Sequence, residues 1–122
     1  MVKKVLIADD SAAFRNLEGT ILAPYHYQLL HAENGVQCMK LAMEEKPDLI
    51  LLDVQMPYMD GVQVLAFLQQ HDSTRSIPIV FVTTLGREKD KELLGRGGAR
   101  ALISKPINAL ELVKTVRHIL GE

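Results

Sequence analysis

Pro47-Asp-Leu-Ile-Leu-Leu-Asp-Val-Gln-Met-Pro-Tyr-Met-Asp-Gly61 is the stretch on which the reading of this chain turns. Its first part, Leu49–Leu52, is an unbroken apolar run of strand length. A strand reads that way when it lies in a parallel sheet covered on both faces. The run breaks at Asp53, and Pro57 and Gly61 then punctuate a loop.

Four more short apolar runs flank this one: Lys4–Ala8, Tyr27–Ala32, Ile77–Val82 and Ala99–Ile103. Between them the apolar residues recur with helical period. Phe14, Leu17 and Ile21 mark a first helix; Cys38, Met39 and Ala42 a second; Val64, Leu65 and Leu68 a third. The last helix shows Leu110, Val113, Val116–Arg117 and Leu120, with Gly121 at its C-cap. Arg87–Arg96 is charged up to Leu93–Leu94 and is read as a further helix. Strands alternating with helices require right-handed crossovers and a parallel sheet. The expected architecture is therefore an α/β (βα)5 doubly wound sandwich of the flavodoxin-like kind, five strands in the order 2-1-3-4-5.

The chain has 122 residues, which fits one domain over 1–122, and 48% of them are apolar, enough for a core without disulfide or metal staples. No apolar run approaches the roughly 20 residues of a membrane span. Val5–Ala8 is too short to be the core of a signal peptide. A net charge of −1 leaves no electrostatic footprint for nucleic acid. Cys38 is the only cysteine, so an internal disulfide is excluded and a reducing cytoplasm is the expected location. It lies on the apolar stripe of the second helix and reads as core. The four histidines, at 26, 31, 71 and 118, form no ligand pattern, and Met56 and Met59 belong to the loop rather than to a metal site.

In such a sheet, sites form beyond the carboxyl ends of the strands. Asp9–Asp10 follow the first strand, Asp53 the third, Thr83–Thr84 the fourth and Ser104–Lys105–Pro106 the fifth. Each alone has a bland explanation: a helix cap before Ser11, a turn residue, a strand end. Together, three carboxylates, a hydroxyl and an ammonium converge on one edge. Crowded carboxylates repel and welcome a divalent cation, and hard oxygen donors suit Mg²⁺. A carboxylate can also act as nucleophile toward phosphorus, with metal, lysine and hydroxyl compensating the phosphoryl charge.

Val5-Leu-Ile-Ala-Asp-Asp-Ser11, the opening stretch Pro47–Gly61, Pro78-Ile-Val-Phe-Val-Thr-Thr84 and Ser104-Lys-Pro106 together resemble the response-regulator receiver family of two-component signalling, over the whole chain. The resemblance implies Asp53 as phosphoacceptor. It implies Mg²⁺ held by Asp10, Asp53 and the main-chain carbonyl of Gln55, with Asp9 acting through a metal-bound water. Thr83 would be the switch hydroxyl, Lys105 the lysine that pairs with the phosphoryl group, and Pro106 would follow a cis bond. The implied partners are a histidine kinase or histidine phosphotransfer protein as donor and a downstream target protein or effector domain as receiver of the signal. The domain would be a signalling module rather than an enzyme, promoting only its own phosphorylation and dephosphorylation.

Four positions depart from the family pattern. Leu102 stands where many receivers carry Tyr or Phe, Arg100–Ala101 precede it, and Leu85 lies two residues after Thr83. Signalling is therefore expected without an aromatic rotamer switch, through the Leu85–Gly98 segment, the fifth strand and the last helix; the alternative is that Leu102 simply faces the core. Two other functions compete. A module that no longer takes phosphate conflicts with the full set of Asp9, Asp10, Asp53, Thr83 and Lys105. A Mg²⁺-dependent phosphatase with an Asp nucleophile would need an acid where Gln55 stands.

Overall fold

The computed structural model describes residues 2–84, 89, 91–92 and 98–122. Its five strands are β1 (Lys4–Ala8), β2 (Gln28–Ala32), β3 (Leu49–Asp53), β4 (Ile79–Thr83) and β5 (Ala99–Ser104). All pairings are parallel, and the strand order is β2-β1-β3-β4-β5, as expected. The described helices are α1 (Ala12–Leu22), α2 (Gly35–Glu45), α3 (Gly61–Gln69) and α4 (Ala109–Ile119). The helix expected over Arg87–Arg96 lies outside the described residues, apart from Lys89, Lys91 and Glu92, which are helical. Leu85 is outside them too.

Period-two alternation explains why the central strands are apolar throughout. Leu6, Ala8, Ile50, Leu52, Ile79 and Phe81 pack against α2 and α3, with Cys38, Ala42, Val64, Leu65 and Leu68. Val5, Ile7, Leu49, Leu51, Val80, Val82 and Ile103 face the other way, against Leu22 of α1 and Leu112 and Val116 of α4. Both faces are dry, so each of the Val, Leu, Ile and Phe side chains contributes about 1.5–3 kcal/mol of burial. Cys38 is core, and burial pushes its thiol up to about 12. Leu102 is half-buried and packs against the α2–α3 side.

Several expectations shift by one or two residues. Tyr27, Ile77 and Pro78 precede their strands, whereas Asp53, Thr83 and Ser104 are the last residues of theirs. In α1 the expected stripe was Phe14, Leu17 and Ile21, but Leu17 is 42% exposed and the fully buried residues are Glu18 and Leu22. In α4 the buried line is Leu112, Val116 and Leu120, while Leu110 and Arg117 face solvent. Gly121, at φ 77, closes α4 in the left-handed conformation that glycine adopts without cost.

Local chemistry sets the helix starts. Ser11, Asn34 and Asn108 cap α1, α2 and α4 through side-chain oxygens that accept from Phe14, Gln37 and Glu111 amides. Asp60 and Gln63 form a reciprocal capping box that opens α3.

Candidate phosphoryl-transfer site

Alternation along the strands also aims the site. Val5 and Ile7 lead to Asp9, Leu49 and Leu51 to Asp53, and Ala101 and Ile103 to Lys105. All three therefore continue the set of positions that faces α1 and α4. They meet at the carboxyl ends of β1, β3 and β5.

Carboxylate oxygens of Asp9, Asp10 and Asp53 lie within 4.8 Å of one another. Asp9 and Asp53 are buried and Asp10 is exposed. Lys105 Nζ donates to Asp9 Oδ2 at 2.8 Å and sits 3.5 Å from Asp53 Oδ2, with the Phe14 ring centroid 3.9 Å away. The other Asp9 oxygen accepts from the Ser11 amide at 2.8 Å, and the Asp9 carbonyl accepts from Arg15 Nη1 at 2.7 Å. Because Ser11 provides the cap of α1, Asp10 is not needed for it. Asp53 Oδ1 accepts from the Gln55 amide at 3.1 Å. Thr83, fully buried, ends β4, and its carbonyl accepts from the Lys105 amide at 2.7 Å. The Lys105–Pro106 bond is cis, as expected. Gln55 itself is exposed, and its side-chain oxygen accepts from Thr84 Oγ1 at 2.7 Å.

Burial is the main force on Asp53 and, with the Asp9 and Asp10 charges, lifts its carboxyl to about 6, against the opposing pull of Lys105 and the Gln55 amide. For Lys105 burial works against the charge. The hydrogen bond to Asp9 and the Asp53 and Asp9 carboxylates outweigh it, holding the ammonium above the ordinary lysine range. The cluster is thus rich in anionic oxygen and short of cation. Two buried carboxylates and one exposed to incoming solvent make a donor set that fits a small hard divalent ion keeping part of its water.

Hydropathy gives no hint of one neighbour of this cluster. Glu18 is buried, its Oε2 has no hydrogen-bond partner, and burial first, then Asp9, raises its carboxyl to about 8. A charged letter inside an apolar period is ordinarily a solvent-facing residue. Only the angular position, one turn after Phe14 and one before Leu22, could have revealed it.

Gly61 holds the loop to the site. Its amide donates to the Val54 carbonyl at 2.9 Å, and an added Cβ would lie 2.7 Å from the Asp53 carbonyl oxygen and 2.9 Å from Val54 Cα. These are backbone atoms and cannot swing aside. Gly61→Ala is expected to destabilise the protein by about 1–3 kcal/mol, read as a lower urea midpoint. An unchanged midpoint would mean that the loop yields freely.

The sequence matches the response regulator receiver domain family over residues 5–117. It is 34% identical to the polar-differentiation response regulator DivK of Brucella anthropi, across all of this chain and 99% of that one. A putative response regulator from Chloroflexus aurantiacus superposes with a TM-score of 0.93 at 27% identity, each chain fully covered. The receiver domain of sensor histidine kinase PA1611 from Pseudomonas aeruginosa, whose structure has a magnesium ion coordinated in the active site cleft, shares the fold. Its TM-score is 0.90 at 21% identity, again over the whole of both chains. Sequence, topology and the acidic edge agree: the chain belongs to the response regulator receiver domain family of two-component systems.

Proposed function

We propose that residues 1–122 form one receiver domain that accepts a phosphoryl group on Asp53 and thereby changes its affinity for a target. The observation that carries this reading is the meeting of three carboxylates within 4.8 Å beside an ammonium 2.8 Å from one and 3.5 Å from another. An Asp53 carboxylate oxygen attacks phosphorus, the bond from phosphorus to the donor breaks, and the donor keeps the electron pair. From a histidine kinase or histidine phosphotransfer protein the broken bond is P–N; from acetyl phosphate it is P–O and acetate leaves. The residue formed is an aspartyl phosphate, and its later hydrolysis is promoted by the same site, so the domain is a signalling module rather than an enzyme with an external substrate.

Asp10, Asp53 and the Gln55 main-chain carbonyl would hold Mg²⁺, with Asp9 reaching it through water. When bound, the ion supplies charge compensation for the phosphoryl oxygens. Lys105 supplies a second cation, and the Thr83 hydroxyl a donor, to the same oxygens. The acidic edge and the magnesium bound by a protein of the same fold support this assignment. Among the described residues no helix is long and apolar enough to cross a membrane, and membership of the receiver family supports action in the cytoplasm.

Acetyl phosphate with Mg²⁺ should add one phosphate mass, mapped to the peptide containing Asp53, and chelation of the metal should prevent it. Phosphate on any other residue overturns the assignment. Asp10→Asn should weaken Mg²⁺ roughly tenfold or more, because a neutral oxygen replaces an anionic one. Its melting temperature without metal should not fall, since Ser11 caps α1. Undiminished Mg²⁺ binding in a titration would remove Asp10 from the ligand set.

A further inference from the structure

Glu18 has no task in that chemistry, yet it is 1% exposed and its Oε2 lacks a hydrogen-bond partner. Buried polar atoms of native proteins nearly always have one, so an orphan oxygen points to a second arrangement in which a donor arrives. Phe14, one turn earlier on the same face of α1, has its ring 3.9 Å from the Lys105 ammonium. The charges of Asp9, Lys105 and Asp53 all act on the Glu18 carboxyl, which places it within electrostatic reach of that ammonium.

Lys105 has three N–H donors. Its carboxylate partners are Asp9 Oδ2 at 2.8 Å and Asp53 Oδ2 at 3.5 Å. Both change when the site is used: Asp53 becomes an acyl phosphate, and Asp9 is drawn toward the metal's water. An ammonium released from Asp9 inside a closed space needs a new protein acceptor as well as the phosphoryl oxygen, or a donor is left bare.

We propose that Glu18 is a positioning residue for Lys105, the acceptor that takes the ammonium once Asp9 turns to the metal, so that Lys105 spans the phosphoryl group and α1. This rests on the reading of Asp53 as phosphoacceptor. Burial keeps the Glu18 carboxyl uncharged near neutral pH, so it does not compete with Asp9 in the metal-free protein. A neutral carboxyl still offers a carbonyl oxygen to a donor. Phosphorylation would then tie α1 to the site through Lys105.

The test compares Glu18→Leu with Glu18→Gln, which keeps an acceptor oxygen. With saturating Mg²⁺, the maximal rate of labelling by acetyl phosphate should drop about tenfold in Glu18→Leu, with the KM for donor unchanged; tenfold is the scale of one hydrogen bond to a charged group. Glu18→Gln should recover most of the rate. The Lys105 ammonium signal in ¹⁵N NMR, recorded with Mg²⁺ and beryllofluoride as phosphoryl mimic, should be protected from exchange in wild type and Glu18→Gln but not in Glu18→Leu. Without metal it should be alike in all three. Glu18→Met replaces Leu if Leu does not pack. A residue merely tolerated in the core would give the Leu variant a higher melting temperature, the wild-type rate and an unchanged Lys105 signal, and that result overturns the proposal. Labelling of Asp53→Asn at the wild-type rate would instead overturn the phosphoacceptor reading itself.

Discussion

Asp53→Asn is expected to take up no phosphate from acetyl phosphate and Mg²⁺, while its metal-free form melts above the wild type. The first effect follows from chemistry, since an amide oxygen is a far weaker nucleophile and cannot form the acyl phosphate. The second follows from the field around the residue. Burial, Asp9 and Asp10 raise the Asp53 carboxyl from 3.8 to about 6. A raised folded value means that stability present below pH 3.8 is lost as pH climbs through about 6. At pH 7.5 the wild type carries the full cost, on the order of 1–3 kcal/mol, and the amide does not. Saturating Mg²⁺ should reverse the ranking, because the wild type gains stability by mass action, about 2.7 kcal/mol at 100 times Kd. Thermal melts with EDTA and with Mg²⁺ check both halves. An asparagine variant that melts lower in EDTA would show that the carboxylates do not repel.

The second large effect is a pH dependence that belongs to Glu18. Its carboxyl is raised from 4.5 to about 8, with burial as the first cause and Asp9 as the next. The folded state holds a proton there that the unfolded chain has released. The stability Glu18 contributes is therefore complete below pH 4.5 and is lost as pH rises through about 8. The slope approaches about 1.4 kcal/mol per pH unit. Asp53 has the same sign but finishes near pH 6, so the window from 6.5 to 8 isolates Glu18. Urea unfolding in EDTA across that window should show a loss of roughly 2 kcal/mol in the wild type and a nearly flat line in Glu18→Gln. Parallel lines for the two proteins would show that Glu18 is ionised or solvated in the fold.

The same residue marks where sequence reading stopped. The strands β1, β3 and β4 were legible because both faces are dry, which leaves continuous Val, Leu and Ile. Asp9, Asp10, Asp53, Thr83 and Lys105 were legible as neighbours because parallel topology brings the ends of those strands to one edge. The α1 stripe was misread by one position: Leu17 was placed on it and Glu18 was not, since hydropathy does not register a carboxyl kept neutral by its surroundings. In α4, Leu110 drew the expected stripe away from Leu112, although Leu110 lies in the exposed first turn.

The Asp9 carboxylate and the Lys105 ammonium that meet at 2.8 Å come from residues 96 positions apart, with β3 and β4 paired between their strands. No fragment that stops short of β5 contains the site, however well its first strands pair. During synthesis the acidic edge therefore stays without its cation until Lys105 has emerged and β5 has docked on β4. A chain stalled before that point exposes three uncompensated carboxylates and the bare edge of β4. The paired acidic edge and ammonium thus arise late and all at once, and a half-made copy lacks the ion pair that a finished molecule holds.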